Sequence, residues 1–303
     1  LKNIRSLQRF FAEQGHYGIV HQHVSSLSYL EPLKYAKIHN VGVRICHTHS
    51  TREGGRRIHD LLHRINQELI ETVATDYFAC SRLALEHTFP PKVASRCRIL
   101  RNGIEIDKFS YDVNVRKQKR EELGITGELV IGHVGRFHSV KNHEFIIQVF
   151  SELTSLEPEA RLILVGDGPL REKIEKQTSE MGLRERIHFL GLRSDVSELM
   201  QAMDVFLFPS TYEGLGIALV EAQAAGLKCL ASKNVIPEDV KVTDLVEFIE
   251  LSMGPSVWAK KILNGTNKRQ PTESAIRKAG YDIKEIAREL EEWYLAKHKI
   301  VRR

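Results

Sequence analysis

Two glutamates separated by seven residues carry the strongest chemical signal in the sequence. Glu213 and Glu221 bound the segment EGLGIALVE, in which two glycines precede an apolar stretch. Glu221 lies four residues after Ile217, a spacing that returns a side chain to the same face of a helix. We therefore expect both carboxylates to face one crevice. Each accepts two hydroxyl hydrogen bonds, which suits a sugar ring and a ribose on either side of a pyrophosphate.

The residues between these glutamates are predicted to bind phosphate. Gly214, Leu215 and Gly216 follow an apolar strand pattern and lead into a helix pattern that begins at Ile217. Amides at the start of a helix lack acceptors within it and bind anions, so Gly216 and Ile217 are the expected donors. The alternative is a surface Glu213 and a solvated Glu221. Glu221 is the only charge in GIALVEAQAAG, and an unpaired carboxylate in a buried helix is costly.

Two other loops are predicted to approach the same ligand. The segment VGRFHSVK contains Gly135, Arg136 and Lys141, and its two cations could neutralise the charge on a departing nucleoside diphosphate without a metal. The turn GDGP contains Gly166 and Gly168, which permit close approach of a ligand to the backbone. The alternative for the first loop is a solvated polar turn, and the alternative for the second is an ordinary strand-to-helix turn that binds no ligand.

Short apolar segments alternate with amphipathic segments along the chain, the pattern of parallel strands joined by helices. We predict an α/β fold. In the second half, strands are expected at 129–134, 161–166, 187–191, 204–209 and 228–232, and helices at 143–156, 170–181, 196–203 and 217–225. In the first half, strands are expected at 17–24, 41–49, 76–81 and 97–104, and helices at 28–39 and 58–72.

These elements predict a first domain over 1–106, a nucleotide-sugar-binding domain over 107–281, and a C-terminal amphipathic helix over 282–303 that could pack back on the first domain. The charged run 116–122 is expected to separate the two cores. Nothing before Tyr17 supplies a strand leading into a glycine-rich turn, so the first domain is expected to lack its first strands and the chain to be a fragment.

The composition indicates a globular protein of the cytoplasm. Hydrophobic residues make up 42% and charged residues 27% of the 303, no apolar run is long enough to span a bilayer, and the four cysteines are scattered. The net charge of +5 favours anionic partners. The densest basic patch, which is either a solvated helix face or a contact with lipid or polyphosphate, contains Arg52, Arg56, Arg57, His59, His63 and Arg64.

Several kinds of site lack support in the sequence. No Asp-x-Asp motif occurs, so we predict that no metal is required for turnover. His47 and His49 occupy alternate positions of one strand, but a zinc site would need a third or fourth ligand. His21 and His23 are interpreted as strand-end structure. No Gly-x-Ser-x-Gly turn, Walker loop or Gly-x-Gly-x-x-Gly fingerprint is present, which excludes the usual hydrolase, kinase and dehydrogenase motifs.

Four motifs in order resemble one known family. The segments RNGIEIDKF, GRFHSVKNH, LVGDGPL and FPSTYEGLGIALVEAQAAG are similar to those of the retaining glycosyltransferases of the GT-B class, family four, especially enzymes of bacterial exopolysaccharide and capsule synthesis. The resemblance implies two Rossmann-like domains facing across a cleft and a nucleoside-diphosphate sugar, such as a UDP-sugar, as donor substrate. It implies no cofactor and no nucleic-acid partner.

The resemblance also implies roles for individual residues. Glu213 would position the sugar, and the backbone of Leu192 and Arg193 would contact the nucleotide base. His47, or less readily His49, would approach the donor sugar from the first domain. The acceptor would be a saccharide or lipid-linked saccharide, with peripheral contact at the inner face of the membrane. The alternatives are a GT-B epimerase or phosphorylase acting on nucleotide sugars, or a truncated fragment that binds a nucleotide sugar without turnover.

Overall fold

The computed structural model of the protein describes residues 2–14, 17–49, 57–264 and 269–301. The chain divides into two compact units. The first comprises Leu1–Gly103 together with Ile283–Arg303, and the second comprises Ile104–Asp282. Each unit contains a parallel sheet and helices, the α/β organisation that the alternating apolar and amphipathic segments predict.

Among the residues that the structure describes, the first unit contains four parallel strands. They are β1 (Ile19–Val24), β2 (Val43–Thr48), β3 (Asp76–Ala79) and β4 (Arg98–Ile99), paired in that order. The accompanying helices are α1 (Lys2–Gln14), α2 (Glu31–Ile38), α3 (Arg57–Val73), α4 (Arg82–Thr88) and α5 (Pro91–Ala94). The sequence pattern predicts all four strands, although β4 is much shorter than 97–104, and it does not predict α1.

The second unit contains a six-stranded parallel sheet. Its strands are β5 (Val130–Val134), β6 (Arg161–Val165), β7 (Ile187–Gly191), β8 (Val205–Phe208), β9 (Lys228–Ser232) and β10 (Val246–Ile249). Its helices are α6 (Ile106–Phe109), α7 (Val113–Glu122), α8 (His143–Leu156), α9 (Arg171–Glu180), α10 (Val196–Ala202), α11 (Ile217–Ala224), α12 (Pro255–Leu263) and α13 (Glu273–Lys278). Five of the six strands follow the predicted pattern, and β10 is an addition.

The strand order of this sheet determines where a ligand can bind. The order is β10-β9-β8-β5-β6-β7, so β5 pairs with β6 on one side and with β8 on the other. The loops that follow β5 and β8 therefore diverge at the carboxyl edge, and open parallel sheets bind ligands at such a crevice. Buried apolar side chains cover the central strands on both faces and fix this edge in place. They include Ile131, Leu162, Leu164, Val205 and Leu207 on one face and Val130, Ile163 and Phe206 on the other.

The charged run 116–122 does not separate two cores. It belongs to α7, which packs within the second unit through buried cationic side chains. Arg116 donates to Asp204 at 2.6 Å, and Arg120 donates to the carbonyl oxygens of Ala202 at 3.0 Å and Glu128 at 2.6 Å. The sequence pattern misplaces this run because a charged segment predicts exposure, whereas ion pairs and carbonyl acceptors allow these side chains to be buried.

The last helix, α14 (Ile283–Val301), is part of the first unit. Ile286, Leu290, Trp293 and Tyr294 pack against an apolar cluster on the sheet that includes Ile45 and Phe78. Lys297 on the same helix donates to Asp76 at 2.5 Å. The amphipathic pattern of this segment is thus satisfied by one face of the first sheet.

Candidate active site

The loops that follow β5 and β8 are joined by hydrogen bonds at the predicted crevice. Asn142 adopts a left-handed backbone conformation with φ of 56° and donates from its side chain to the Pro209 carbonyl oxygen at 3.1 Å. The amide of Thr211 donates to the carbonyl oxygen of Val140 at 2.8 Å. These contacts hold together two loops that are far apart in sequence, so residues on both are presented at one place.

Lys141 and Glu213 meet at this junction. The ammonium group of Lys141 forms an ion pair with the Glu213 carboxylate, and both side chains are largely buried. Ser210 donates to the same carboxylate oxygen at 2.9 Å, and the Phe208 ring lies 4.8 Å from the Lys141 nitrogen. The sequence predicts both charged residues at one site, but it indicates neither their ion pair nor a role for Ser210.

Glycines allow a second pair of loops to pack backbone against backbone. Gly166 has φ of 136°, and a Cβ there would lie 2.1 Å from the carbonyl oxygen of Gly135. Gly168 has φ of 155°, and its Cβ would lie 2.6 Å from the Phe137 carbonyl oxygen. The Gly135 amide also donates to Val165 at 2.9 Å. These glycines are therefore required for the shape of the site, whether or not a ligand touches them.

A cleft of about 550 Å³ lies beside these loops. It is lined by Arg136, Gly166, Asp167, Gly168, Pro169 and Leu192. The Arg136 side chain is exposed and has no hydrogen bond or ion pair with any of the described residues. Leu192 is 82% exposed, although it is apolar. An unneutralised cation beside glycine-rich backbone is suited to an anionic ligand.

The neighbouring residue Arg193 is already engaged by an acidic partner. Its guanidinium donates to both carboxylate oxygens of Asp195, at 2.7 and 2.6 Å, and Lys119 donates to Asp195 at 3.0 Å. The hydrogen bond from Arg193, with the contribution of Lys119, lowers the pKa of Asp195. The guanidinium of Arg193 is exposed but already paired with Asp195, which leaves the backbone of Arg193 for the predicted contact with a base.

Glu221 lies on α11 in an unusual environment. Most of this helix is buried, and the Glu221 carboxylate forms no hydrogen bond or ion pair with the rest of the described chain. Burial raises its pKa to about 7. At neutral pH the group is therefore near half protonation, as expected for a buried carboxylate without a partner.

The helix start that precedes Glu221 has the geometry of an anion site. Gly216 is the N-terminal capping residue of α11 and has φ of 79°, in the left-handed region that favours glycine. Leu215 is buried, so it contributes packing rather than a ligand-facing side chain, and Ile217 is partly buried. The amides of Gly216 and Ile217 precede the first intrahelical acceptor, and Gly214 lies just before them.

A second cleft of similar size lies at the opposite edge of the same sheet. It has a volume of about 580 Å³ and is lined in part by Tyr111, Arg116, Arg120 and Asp204. These charged residues pair with one another, as described for α7. These residues neutralise one another and lie at the amino ends of the strands. We therefore interpret this cleft as part of the packing of α7 and not as a ligand site.

Two buried histidines lie beneath the loop that contains Lys141. Neither is predicted from the sequence. His133 is fully buried and its Nδ1 lies 2.8 Å from the Leu207 carbonyl oxygen. The His143 ring stacks on Phe137 with a centroid separation of 4.0 Å. Burial lowers the pKa of both, to about 4 for His143. Both are neutral at pH 7 and add no charge beneath Lys141.

In the first unit, His47 is not isolated. It lies on β2 and is 3% exposed, and its Nδ1 is 3.2 Å from Nε2 of His21 on β1. Beside them, His23 Nδ1 lies 2.8 Å from His49 Nε2. The sequence alone indicates only the alternate spacing of His47 and His49. The parallel register, which places His23 opposite His47, brings the second pair alongside.

The basic patch near the start of α3 differs from the prediction. His63 is 2% exposed, and its Nδ1 accepts from the Leu27 amide at 3.1 Å, so it belongs to the core. Arg57, His59 and Arg64 lie on α3. Arg52 and Arg56 lie outside the described residues. What remains of the patch within the described residues is thus smaller than expected.

Comparison with known proteins identifies the family. Residues 115–263 match the family described as "Glycosyl transferases group 1". The chain is 34% identical over 291 residues to the putative glycosyltransferase EpsF of Bacillus subtilis (strain 168), which covers 93% of this chain and 76% of that protein. It is 26% identical over 292 residues to the capsular polysaccharide biosynthesis glycosyltransferase CapH of Staphylococcus aureus. The alignment covers 92% of this chain and 77% of that protein.

Solved structures give the same fold. Anabaena Alr3699/HepE, in complex with UDP and glucose, superimposes with a TM-score of 0.78 at 19% identity, covering 96% of this chain and 81% of that one. The sheets and the similarity define a glycosyltransferase of the GT-B fold. The chain belongs to the glycosyl transferases group 1 family, because its identity to EpsF extends over most of both chains. The family and the fold class predicted from the motifs are confirmed.

Proposed function

We propose that this glycosyltransferase moves a sugar from a nucleoside-diphosphate sugar to a hydroxyl of a saccharide or lipid-linked saccharide, with retention at the anomeric carbon, in the synthesis of an extracellular or capsular polysaccharide. The observation that carries the proposal is the Lys141–Glu213 pair at the divergence of the loops after β5 and β8. A carboxylate and a cation fixed together there match the two halves of a nucleotide sugar, its hydroxyls and its phosphates.

Each side chain has a task in this reaction. Arg136, which pairs with none of the described residues, and Lys141 neutralise the charge on the diphosphate as its bond to the anomeric carbon breaks. Glu213 accepts hydrogen bonds from the sugar hydroxyls and positions the ring. Glu221 accepts hydrogen bonds from the ribose, and the amides of Gly216 and Ile217 donate to the phosphates. The family resemblance assigns His47 to a contact with the donor sugar.

Retention follows if bond making and bond breaking occur on the same face of the sugar. The acceptor oxygen bonds to the anomeric carbon as the carbon–phosphate oxygen bond breaks, and the acceptor proton passes to the departing phosphate. No protein group needs to act as a nucleophile in this scheme, and two cations supply the electrostatic stabilisation. We therefore propose that turnover requires neither a metal nor a cofactor.

Comparison with relatives supports a uridine nucleotide and a polysaccharide product. The solved HepE structure contains UDP and glucose, and CapH is named for capsular polysaccharide biosynthesis. By analogy we propose a UDP-sugar as the donor of this chain. The alternatives of an epimerase, a phosphorylase or a binder without turnover predict different products from the same donor.

A product assay tests the proposed reaction directly. The purified chain is incubated with UDP-, GDP- and ADP-sugars and a mixture of saccharide acceptors, with and without EDTA. We expect one donor to give free nucleoside diphosphate and a new glycosidic bond of the donor's anomeric configuration, at a rate that EDTA changes less than twofold. An epimerised donor, or a sugar phosphate, would assign the chain to another reaction, and abolition by EDTA would refute metal independence.

We also propose that α3 contacts the surface of the membrane that holds the acceptor. No helix among the described residues combines the length and apolar character needed to cross a bilayer. On α3 the exposed fractions of Ile58 and Leu61 are 61% and 58%, and those of Ile65 and Leu69 are 47% and 46%. These side chains share one helical face and neighbour basic residues such as Arg64, a combination typical of helices that lie in a lipid interface.

Vesicle sedimentation tests this contact. We expect the chain to sediment with vesicles containing one-third phosphatidylglycerol, and Leu61→Ser with Ile65→Ser to reduce the bound fraction at least threefold, because the apolar face supplies the insertion energy. The control is Leu156→Ser, which changes an exposed leucine of the second unit. Equal sedimentation of both variants, or none by the parent chain, would remove α3 as the contact.

A further inference from the structure

Four histidines form one cluster on the first sheet. His21 and His23 alternate on β1, His47 lies on β2, His49 directly follows the end of β2, and the parallel register sets His23 opposite His47. Ligand nitrogens of His21, His23 and His47 all lie within 4.8 Å of one another. His47 is buried and His23 is exposed, so the group reaches from the core to solvent. Among the described residues, no carboxylate belongs to this group.

Partners outside the trio orient two of the three rings. Tyr294 on α14 lies with its hydroxyl 2.5 Å from Nδ1 of His21, and His49 Nε2 lies 2.8 Å from Nδ1 of His23. The other nitrogen of His47, Nε2, is buried and has no hydrogen-bond partner among the described residues. Nε2 of His21 faces Nδ1 of His47, and Nε2 of His23 is the nitrogen of that ring that does not contact His49. In His21 and His23, therefore, an outer group engages the second ring nitrogen, as in histidines that bind metals.

We propose that His21, His23 and His47 form a binding site for Zn²⁺. The separation of 3.2 Å between His21 Nε2 and His47 Nδ1 matches the edge of about 3.3 Å expected for a zinc tetrahedron with bonds near 2.0 Å. His23 reaches the same point by a side-chain rotation at the exposed end. Three imidazoles leave a fourth position for water.

The protonation state of the cluster suits a metal ion. Burial, reinforced by neighbouring imidazoles, lowers the pKa of His21 to about 4 and that of His47 to about 2. The rings are therefore neutral at pH 7, the form that binds metals, and no proton has to be displaced. Three nitrogen donors favour Zn²⁺ and its neighbours over Mg²⁺ or Ca²⁺, which prefer oxygen.

The test measures metal directly. The untagged, EDTA-dialysed full chain is titrated with ZnCl₂ against a chromophoric chelator, and with CoCl₂ while the visible spectrum is recorded. We expect one Zn²⁺ per chain and the intense absorption of tetrahedral Co²⁺. His21→Ala and His23→Ala should each weaken Zn²⁺ binding at least 100-fold, and Tyr294→Phe, which removes an outer hydrogen bond, should weaken it about 10- to 100-fold.

The control is His59→Ala, an exposed histidine of the same unit that lies outside the cluster and should leave affinity unchanged. Thermal unfolding establishes that each variant is folded, and because His23 is exposed its variant remains informative if His21→Ala unfolds. Absence of stoichiometric binding, an octahedral Co²⁺ spectrum, or unchanged affinity in both ligand variants would overturn the proposal.

The site has a consequence that rests on the proposed function. Zn²⁺ bound through His47 withdraws that imidazole from the donor sugar, so saturating Zn²⁺ should inhibit transfer at least tenfold and EDTA should restore it. Binding without inhibition supports the metal site and removes His47 from the sugar. Normal transfer by a chain that binds no Zn²⁺ overturns the site and leaves the proposed function standing, so the two failures are distinguishable.

Discussion

Replacing Glu213 with glutamine is expected to lower kcat/KM for sugar transfer about 1000-fold without unfolding the protein. The carboxylate accepts from Ser210 and pairs with Lys141, so its position relative to the donor is set from two sides. Glutamine keeps the size of the side chain but loses the charge that holds Lys141 and the strength of the bonds to the sugar hydroxyls. A loss of this size corresponds to about 4 kcal/mol of transition-state stabilisation.

Replacing the partner residue, Lys141→Met, should lower kcat/KM to a similar extent. A double-mutant cycle measures how far Lys141 and Glu213 act as a unit. Each single variant leaves one largely buried charge without its partner, so we expect each to lose about 1–3 kcal/mol of stability and the double variant to lose less than their sum. Strictly additive losses in kcat/KM would indicate that the pair does not act together.

An exposed pair in the same unit supplies the control. Lys173 and Glu144 form an ion pair at 2.5 Å, with side chains 64% and 48% exposed. Glu144→Gln and Lys173→Met should change both activity and stability by little, because exposed pairs contribute at most about 1 kcal/mol. Activity of Glu213→Gln within threefold of the parent chain, measured with the donor identified by the product assay, would contradict the assignment of Glu213.

The strand ends explain why the sequence predicts much of this site. Apolar runs such as LVIGHV and DVFLFP fix where parallel strands stop, and chemistry-bearing residues directly follow them. Local pattern therefore predicts Glu213 as a site residue and makes Lys141 a candidate, and the resemblance to the family is what favours a role for Lys141 over a solvated turn. Their ion pair joins residues 72 positions apart and depends on the strand order β8-β5, which no local pattern contains.

The missed features share the same physical origin. The histidine cluster depends on the register between β1 and β2, and a shift of one residue would place the two pairs on opposite faces. The docking of α7 depends on acceptors from residues more than 80 positions away, such as Asp204 and Ala202. Long-range contacts of this kind determine whether a charged side chain is buried, and composition within a window cannot supply them.

Glu221→Gln should weaken the binding of UDP about 100-fold at pH 8 and alter its dependence on pH. A carboxylate that accepts two ribose hydroxyls loses about 1.5–3 kcal/mol when its charge is removed. Because burial raises the pKa of Glu221 to about 7, the parent chain loses this charge as the pH falls from 8 to 6. The difference between the parent chain and the variant should therefore shrink over that range.

The same pKa shift predicts an opposite effect on the stability of the unliganded protein. Between about pH 4.5 and 7 the folded carboxyl keeps its proton while the unfolded one has lost it, so the free energy of unfolding falls as the pH rises and levels off above about 7. The Glu221→Gln substitution removes this dependence of the free energy of unfolding on pH. At pH 8 the variant should be more stable than the parent chain by up to about 3 kcal/mol, and at pH 4 the two should agree.

Calorimetric titration with UDP at pH 6, 7 and 8, together with urea unfolding at pH 4 to 8, measures both effects on the same two proteins. The ionisation of UDP itself cancels in the ratio of dissociation constants at each pH. Glu152→Gln, which changes an exposed glutamate of α8, should follow the parent chain throughout.

A variant that binds more weakly but shows the parent's pH slope in stability would indicate that another group titrates. A variant with normal affinity at pH 8 would remove Glu221 from the ribose. Weaker binding combined with greater stability is the signature of a residue kept for its ligand at the expense of the fold.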